Sequence, residues 1–128
     1  MLYWIPALAW MGLIYFLSGR TGNELHSLFP FIDNFNPGHM IAYFVLALLY
    51  YAALVKTAHR RPYLKAFMLC FLYGISDEIH QSFVPTRYPD VFDLGMDITG
   101  TILALGIIFI LKKLMLKKTT KKIYKTWL

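Results

Sequence analysis

The whole chain holds a single cysteine, Cys70, so no intrachain disulfide framework exists, and its apolar neighbours mark it as a small core residue. Charge is scarce as well: 16% of residues are charged against 58% hydrophobic. Mean hydropathy is +0.50, a membrane composition. Acids are the scarcest class. There are seven, all between Glu24 and Asp33 or between Asp77 and Asp97. No internal repeat and no linker is visible, so a single domain over residues 1–128 is expected.

Lys and Arg number 13, giving a formal net charge of +6. In a soluble protein that excess would suggest nucleic acid. Here the bases are segregated into one cluster at Lys56, Arg60, Arg61 and Lys65 and a basic juxtamembrane tail over 112–128. Only Arg20 and Arg87 lie elsewhere. Segregation of this kind fits basic segments on the cytoplasmic side of a membrane, and no nucleic-acid partner is expected.

Four apolar segments follow: Leu2 to Leu17, Met40 to Val55, Leu64 to about Phe83, and Val91 to Leu111. The expected fold is all-α, a polytopic bundle of four transmembrane helices running up and down, with both termini cytoplasmic. The expected localisation is a bacterial cytoplasmic membrane, multi-pass. Segment one lacks the basic start and small-residue cleavage site of a signal peptide and reads as a retained helix. "SGRTGNELHSLFPFIDNFNPGH" reads as a polar connection ending in a helix start, with Asn36 as cap and Pro37 at the first helical position. "PTRYPD" closes a tight hairpin between segments three and four. The lysine-rich tail is expected to continue span four and then to lie on the anionic inner leaflet.

This topology gathers His39, the Asp77 to Gln81 group, Arg87, Asp93 and Asp97 at the outward helix ends. Asp77 and Gln81, Asp93 and Asp97, and His39 and Tyr43 are each four residues apart, one helical face per pair. Folding the hairpin about Arg87 and Tyr88 brings Asp77 and Glu78 level with Asp97, and Gln81 level with Asp93. Such a layer cannot stay fully ionised and unpaired, because an Asp at a span's centre costs around 2.5 to 3.5 kcal/mol. Arg87, His39, His80, a proton, a divalent metal on Asp77, Glu78 and Asp97, or a cationic ligand group could compensate.

Purely structural roles compete. Asp93 could cap span four, Asp77 or Glu78 could pair with Arg87, and His39 could be a satisfied interface histidine. Tyr43, Tyr73 and Cys70 suit packing, and Gly100 with Ala104 suits a helix seam. Asp-Glu-x-His-Gln is no zinc signature, since the positions of Asp77 and Gln81 would both have to be histidine.

At "NPGHMIAYFVLALL", "DEIHQSFVPTR" and "DLGMDITG" the sequence resembles the VanZ-like family of small bacterial membrane proteins. The resemblance runs from about Asn36 to Leu105 and is expected to take in the first span. Its strongest element is Asp-Glu-x-x-Gln-x-Phe-x-Pro-x-Arg, here Asp77, Glu78, Gln81, Phe83, Pro85 and Arg87. His39 with Tyr43, and Asp93, Asp97 and Gly100, supply two more. Two positions depart from the common pattern: Asn36 stands where many members carry Lys, and Asp97 where many carry Asn. Both make the site more acidic. The family's named trait, low-level teicoplanin resistance, implies an effect at the cell surface.

Three functions compete. The first is an outward polar cup formed by His39, Tyr43, Asp77, Glu78, Gln81, Arg87, Asp93 and Asp97. It would bind a lipid headgroup, a lipid-linked wall precursor or a lipoglycopeptide, with membrane lipids as further partners. The second is an enzyme acting on a lipid or lipid phosphate, with Glu78 or Asp77 as general base, His80 or His39 as acid and Arg87 on phosphate. Ion translocation ranks last, because no polar path continues toward the cytoplasm.

Overall fold

The computed structural model describes residues 2–28 and 36–126, without the side chains of residues 36 and 119–126. Among these residues it is helical with no strand. A 3-10 turn, Leu2–Trp4, leads into α1 (Ile5–Ser18), followed by α2 (Gly22–Leu28), α3 (Asn36–Lys56), α4 (Pro62–Gln81) and α5 (Val91–Thr126).

Local chemistry explains the boundaries. Pro62 opens α4 at a position where its missing N–H costs nothing, after Arg61 turns the chain at φ 57°. Asp90 caps α5, its carboxylate accepting the Phe92 amide at 2.8 Å. The cap expected at Asp93 therefore sits three residues earlier. Asn36, the expected cap of α3, has its side chain outside the described residues.

The short helix α2 was not expected within the polar connection. A capping box starts it: the Thr21 amide donates to Glu24 Oε2 at 2.9 Å, and the Glu24 amide returns a bond to Thr21 Oγ1 at 3.4 Å. These donors, the Thr21 amide first, hold the Glu24 carboxyl below its ordinary range.

Helix α3 is the centre. It packs against α1, α4 and, most extensively, α5. Near one end His39 meets Asp97, and near the other Lys112 lies 5.1 Å over the Tyr51 ring, so α3 and α5 run parallel. Tyr63 of α4 meets Phe109 of α5 while Glu78 meets Asp90, so α4 is antiparallel to α5. Three side chains lash α1 to the rest. Trp10 Nε1 donates to the Ala42 carbonyl at 2.9 Å, Tyr73 Oη to the Met11 carbonyl at 2.7 Å, and Tyr50 Oη to Met11 Sδ at 2.9 Å.

Two helical stretches are long and apolar enough to cross a membrane, Pro37–Lys56 and Val91–Lys118, or three if Leu2–Ser18 and Gly22–Leu28, bent by 117°, form one span. The expected count was four. Helix α4 is 20 residues long but ends in Asp77, Glu78, His80 and Gln81, which lower its apolarity. Helix α1 alone has 14 residues, roughly 21 Å of rise. The lysine-rich tail continues α5 in one 36-residue helix, as expected.

The tightest crossing lies at Gly100, where an added Cβ would fall on the Met40 carbonyl and come within 3.1 Å of the Phe44 amide nitrogen. Backbone meets backbone there. Gly100→Ala should cost about 1 to 3 kcal/mol by forcing α3 and α5 apart. Gly106→Ala, with open space around it, should be neutral or slightly stabilising. Unfolding of detergent-solubilised protein checks both, and equal stability of the two variants would contradict this crossing.

Candidate functional site

The first turns of α3 and α5 and the last turns of α4 end on one side of the bundle and bring most of the expected residues together. On α3, His39 Nδ1 donates to Asp97 Oδ1 at 3.1 Å, and its Nε2 lies 4.0 Å from Asp93 Oδ2. Asp97 is almost wholly enclosed, at 1% exposure. On α4, the Gln81 amide donates to Asp77 Oδ2 at 3.2 Å, one turn away. Glu78 Oε2 accepts the Asp90 amide at 2.9 Å, joining the end of α4 to the start of α5.

Tyr43 and Gly74 make room for this arrangement. A Cβ on Gly74 would stand 3.0 Å from Leu94 Cδ1, 3.1 Å from Asp97 Oδ2 and 3.6 Å from the Tyr43 ring, so a larger residue there would press on that carboxylate. The hairpin register differs from the expected one by about a turn. Gly74, rather than Asp77, faces Asp97 Oδ2, and Glu78 lies level with Asp90. The chain reverses earlier than at Arg87 and Tyr88, with consecutive backbone turns from Ser82 to Arg87 and Thr86 at φ 69°.

Arg87 does not pair with Asp77 or Glu78. Its Nη1 donates to Gln81 Oε1 at 3.1 Å and its Nε to the Arg20 carbonyl at 3.2 Å. It orients the glutamine that holds Asp77 and ties the hairpin to the end of α1. His80 also departs from its expected place. Its ring stacks on Tyr15 of α1 at 4.0 Å and 23°, and its Nε2 would lie 3.2 Å from a Cβ on Gly19. Residues two apart on a helix do not share a face, so His80 and Glu78 form no acid–base pair. Tyr73 serves packing, through its bond to Met11.

The acceptors are left in excess. Asp77 Oδ1, Glu78 Oε1, Asp93 Oδ1 and Asp97 Oδ2 are buried with no hydrogen-bond partner, as is the Tyr43 hydroxyl. Among the described residues, no three His, Cys, Asp or Glu side chains group so as to hold a metal ion, so Asp77, Glu78 and Asp97 do not assemble the ligand set considered from sequence. An open cleft of about 270 Å³ reaches Glu78 and Asp90 between α4 and α5.

Two contributors were not among the expected site residues. Asp90 had a signal, an Asp after Pro89 and just before an apolar run, which marks a helix start. Gly74 had none, because its role depends on which residue of α5 stands opposite.

The family model described as VanZ/LLP1 matches residues 3–112. The chain belongs to the VanZ/LLP1 family. No curated protein and no solved structure matches it. Within this VanZ/LLP1 domain lie all three sequence elements of the resemblance and the entire polar end of the bundle.

If the His39–Asp97 bond sustains the site, the two positions must be energetically coupled. His39→Ala leaves a buried carboxylate uncompensated and should destabilise by about 3 to 5 kcal/mol. In a double-mutant cycle with Asp97→Asn the coupling should reach about 1 to 3 kcal/mol. Additive losses in unfolding experiments would show that the bond carries no such weight.

Proposed function

We propose that the protein is a four-crossing component of a bacterial cytoplasmic membrane, both termini cytoplasmic, whose polar end faces outward. There it binds the headgroup of an amphiphile: a membrane lipid, a lipid-linked wall precursor or a lipoglycopeptide such as teicoplanin. The observation that carries this reading is the set of four buried carboxylate oxygens without partners, on Asp77, Glu78, Asp93 and Asp97. A buried unmet acceptor costs about 1 to 3 kcal/mol, more when charged, and a ligand's donors would recover that loss. His39, Gln81 and Arg87 hold these acids in position, and Tyr43 adds a hydroxyl.

The orientation rests on the basic residues. Lys56, Arg60, Arg61 and Lys65 lie at the end opposite the acids, together with Lys112 and Lys113. The enzyme reading gains less support, since His80 is turned onto Tyr15 and His39 is engaged with Asp97.

Two experiments test the proposal. Teicoplanin binding to purified protein in nanodiscs should weaken at least about tenfold, roughly 1.4 kcal/mol, in Glu78→Gln and Asp97→Asn, and stay unchanged in Lys117→Ala. Equal affinity across all of them would remove the site. For topology, in a Cys70→Ser background, a membrane-impermeant maleimide should label Tyr88→Cys in intact cells and Lys117→Cys only after permeabilisation. The reverse pattern would invert the protein in the membrane.

A further inference from the structure

The seam between α4 and α5 is not sealed. Near its outer end the cleft of about 270 Å³ is walled by Ile75, Ile79, Val91 and Leu94, with Glu78 and Asp90 among its lining. Deeper along the same seam, Phe67, Phe71 and Ile98 border a fissure too narrow for a water molecule, with Asp97 at its edge. The two hollows share one stripe. Positions 67, 71, 75 and 79 recur every four residues on α4, while 91, 94 and 98 recur every three or four on α5. From Phe67 to Ile79 the stripe is roughly 18 Å long, by helix rise.

This groove combines two unlike surfaces. Its walls are aliphatic and aromatic, and every charged residue lining either hollow is an acid. Glu78 and Asp97 are only 9% and 1% exposed, yet each keeps one carboxylate oxygen without a partner. Of the nearby basic groups, Arg87 donates to Gln81 and the Arg20 carbonyl, His39 reaches only Oδ1 of Asp97, and His80 is stacked on Tyr15. A partner that brings positive charge and hydrogen-bond donors together with an apolar body complements such a groove.

We propose that the α4–α5 groove admits, sideways from the bilayer, an amphiphile bearing a primary ammonium group on an alkyl or acyl chain. The ammonium docks at Glu78 and the chain lies in the open cleft against Ile75, Ile79, Val91 and Leu94. An ammonium offers three donors and no acceptor, which matches a pocket of acceptors, whereas a hydroxyl would bring lone pairs of its own and no charge. A bare metal ion fits less well, since no three donor side chains group to hold one among the described residues. The proposal rests on the ligand-binding reading and narrows its ligand to a class and an entry side.

The test uses full-length protein in phosphatidylglycerol nanodiscs and a dodecylamine carrying a photoreactive diazirine at its chain end. Irradiation should place adducts on the cleft walls, at Ile75, Ile79, Val91 or Leu94. Labelling should fall at least tenfold when the probe is the N-acetylated amine, a comparison that needs no variant. It should fall equally in Glu78→Gln, with a thermal melt confirming that the variant folds, and Leu94→Trp should block the chain-end adducts. Glu78-dependent adducts on α1 or α3 would overturn the groove while leaving the headgroup site standing. Labelling indifferent to both Glu78 and the amine charge would overturn the groove and the site together. Absence of groove adducts, with a dimer in native mass spectra, would assign the seam to a second copy and overturn the proposal.

Discussion

A single hydrogen bond, 3.1 Å from His39 to Asp97, sets the geometry of the polar end of this bundle. It joins the first turns of two parallel helices, and a bond of that length between short side chains requires the helices nearly to touch. Gly100, one turn below Asp97, permits the approach, since any larger residue would collide with the Met40 carbonyl. Close packing in turn seals Asp97 from solvent. Burial in low dielectric raises the cost of an unpaired charge and so strengthens the demand for His39. Glycine, histidine and aspartate thus express one constraint.

The remaining features follow from what that bond cannot do. One imidazole reaches Asp97 and approaches Asp93, but it does not satisfy Asp77 or Glu78. The obvious compensating cation, Arg87, braces Gln81 and the end of α1 instead, so the fold spends its arginine on holding the cup's shape. His80 is turned away from these acids onto Tyr15, so it forms no acid–base pair with Glu78.

Much of this was legible in the sequence because periodicity and charge bias carry the information. The apolar runs located α1, α3, α4 and α5, and the i, i+4 pairs at His39, Asp77 and Asp93 announced a polar helix end. What escaped depends on register and on backbone partners. Helix α2 was hidden in a polar stretch, although Thr21 and Glu24 form a capping box that local reading could have found. The turn at Thr86, which slides Glu78 opposite Asp90, leaves no pattern in composition. Pairing of Arg87 with Asp77 or Glu78 was one possibility open from the sequence, because charge invites charge, whereas here it bonds a carbonyl and an amide oxygen. His80 was ambiguous for a similar reason: its face depends on where α1 docks, and Trp10, Tyr50 and Tyr73 fix that.

The central claim is that the buried acids of this VanZ/LLP1 domain are the atoms a ligand touches. Infrared difference spectroscopy of protein with isotopically labelled Asp and Glu carboxyl groups, recorded on adding dodecylamine, reads those atoms directly. The account predicts shifted carboxyl bands that lose their Glu78 component in Glu78→Gln and their Asp97 component in Asp97→Asn. A carboxyl region that stays flat while the amphiphile binds would contradict it.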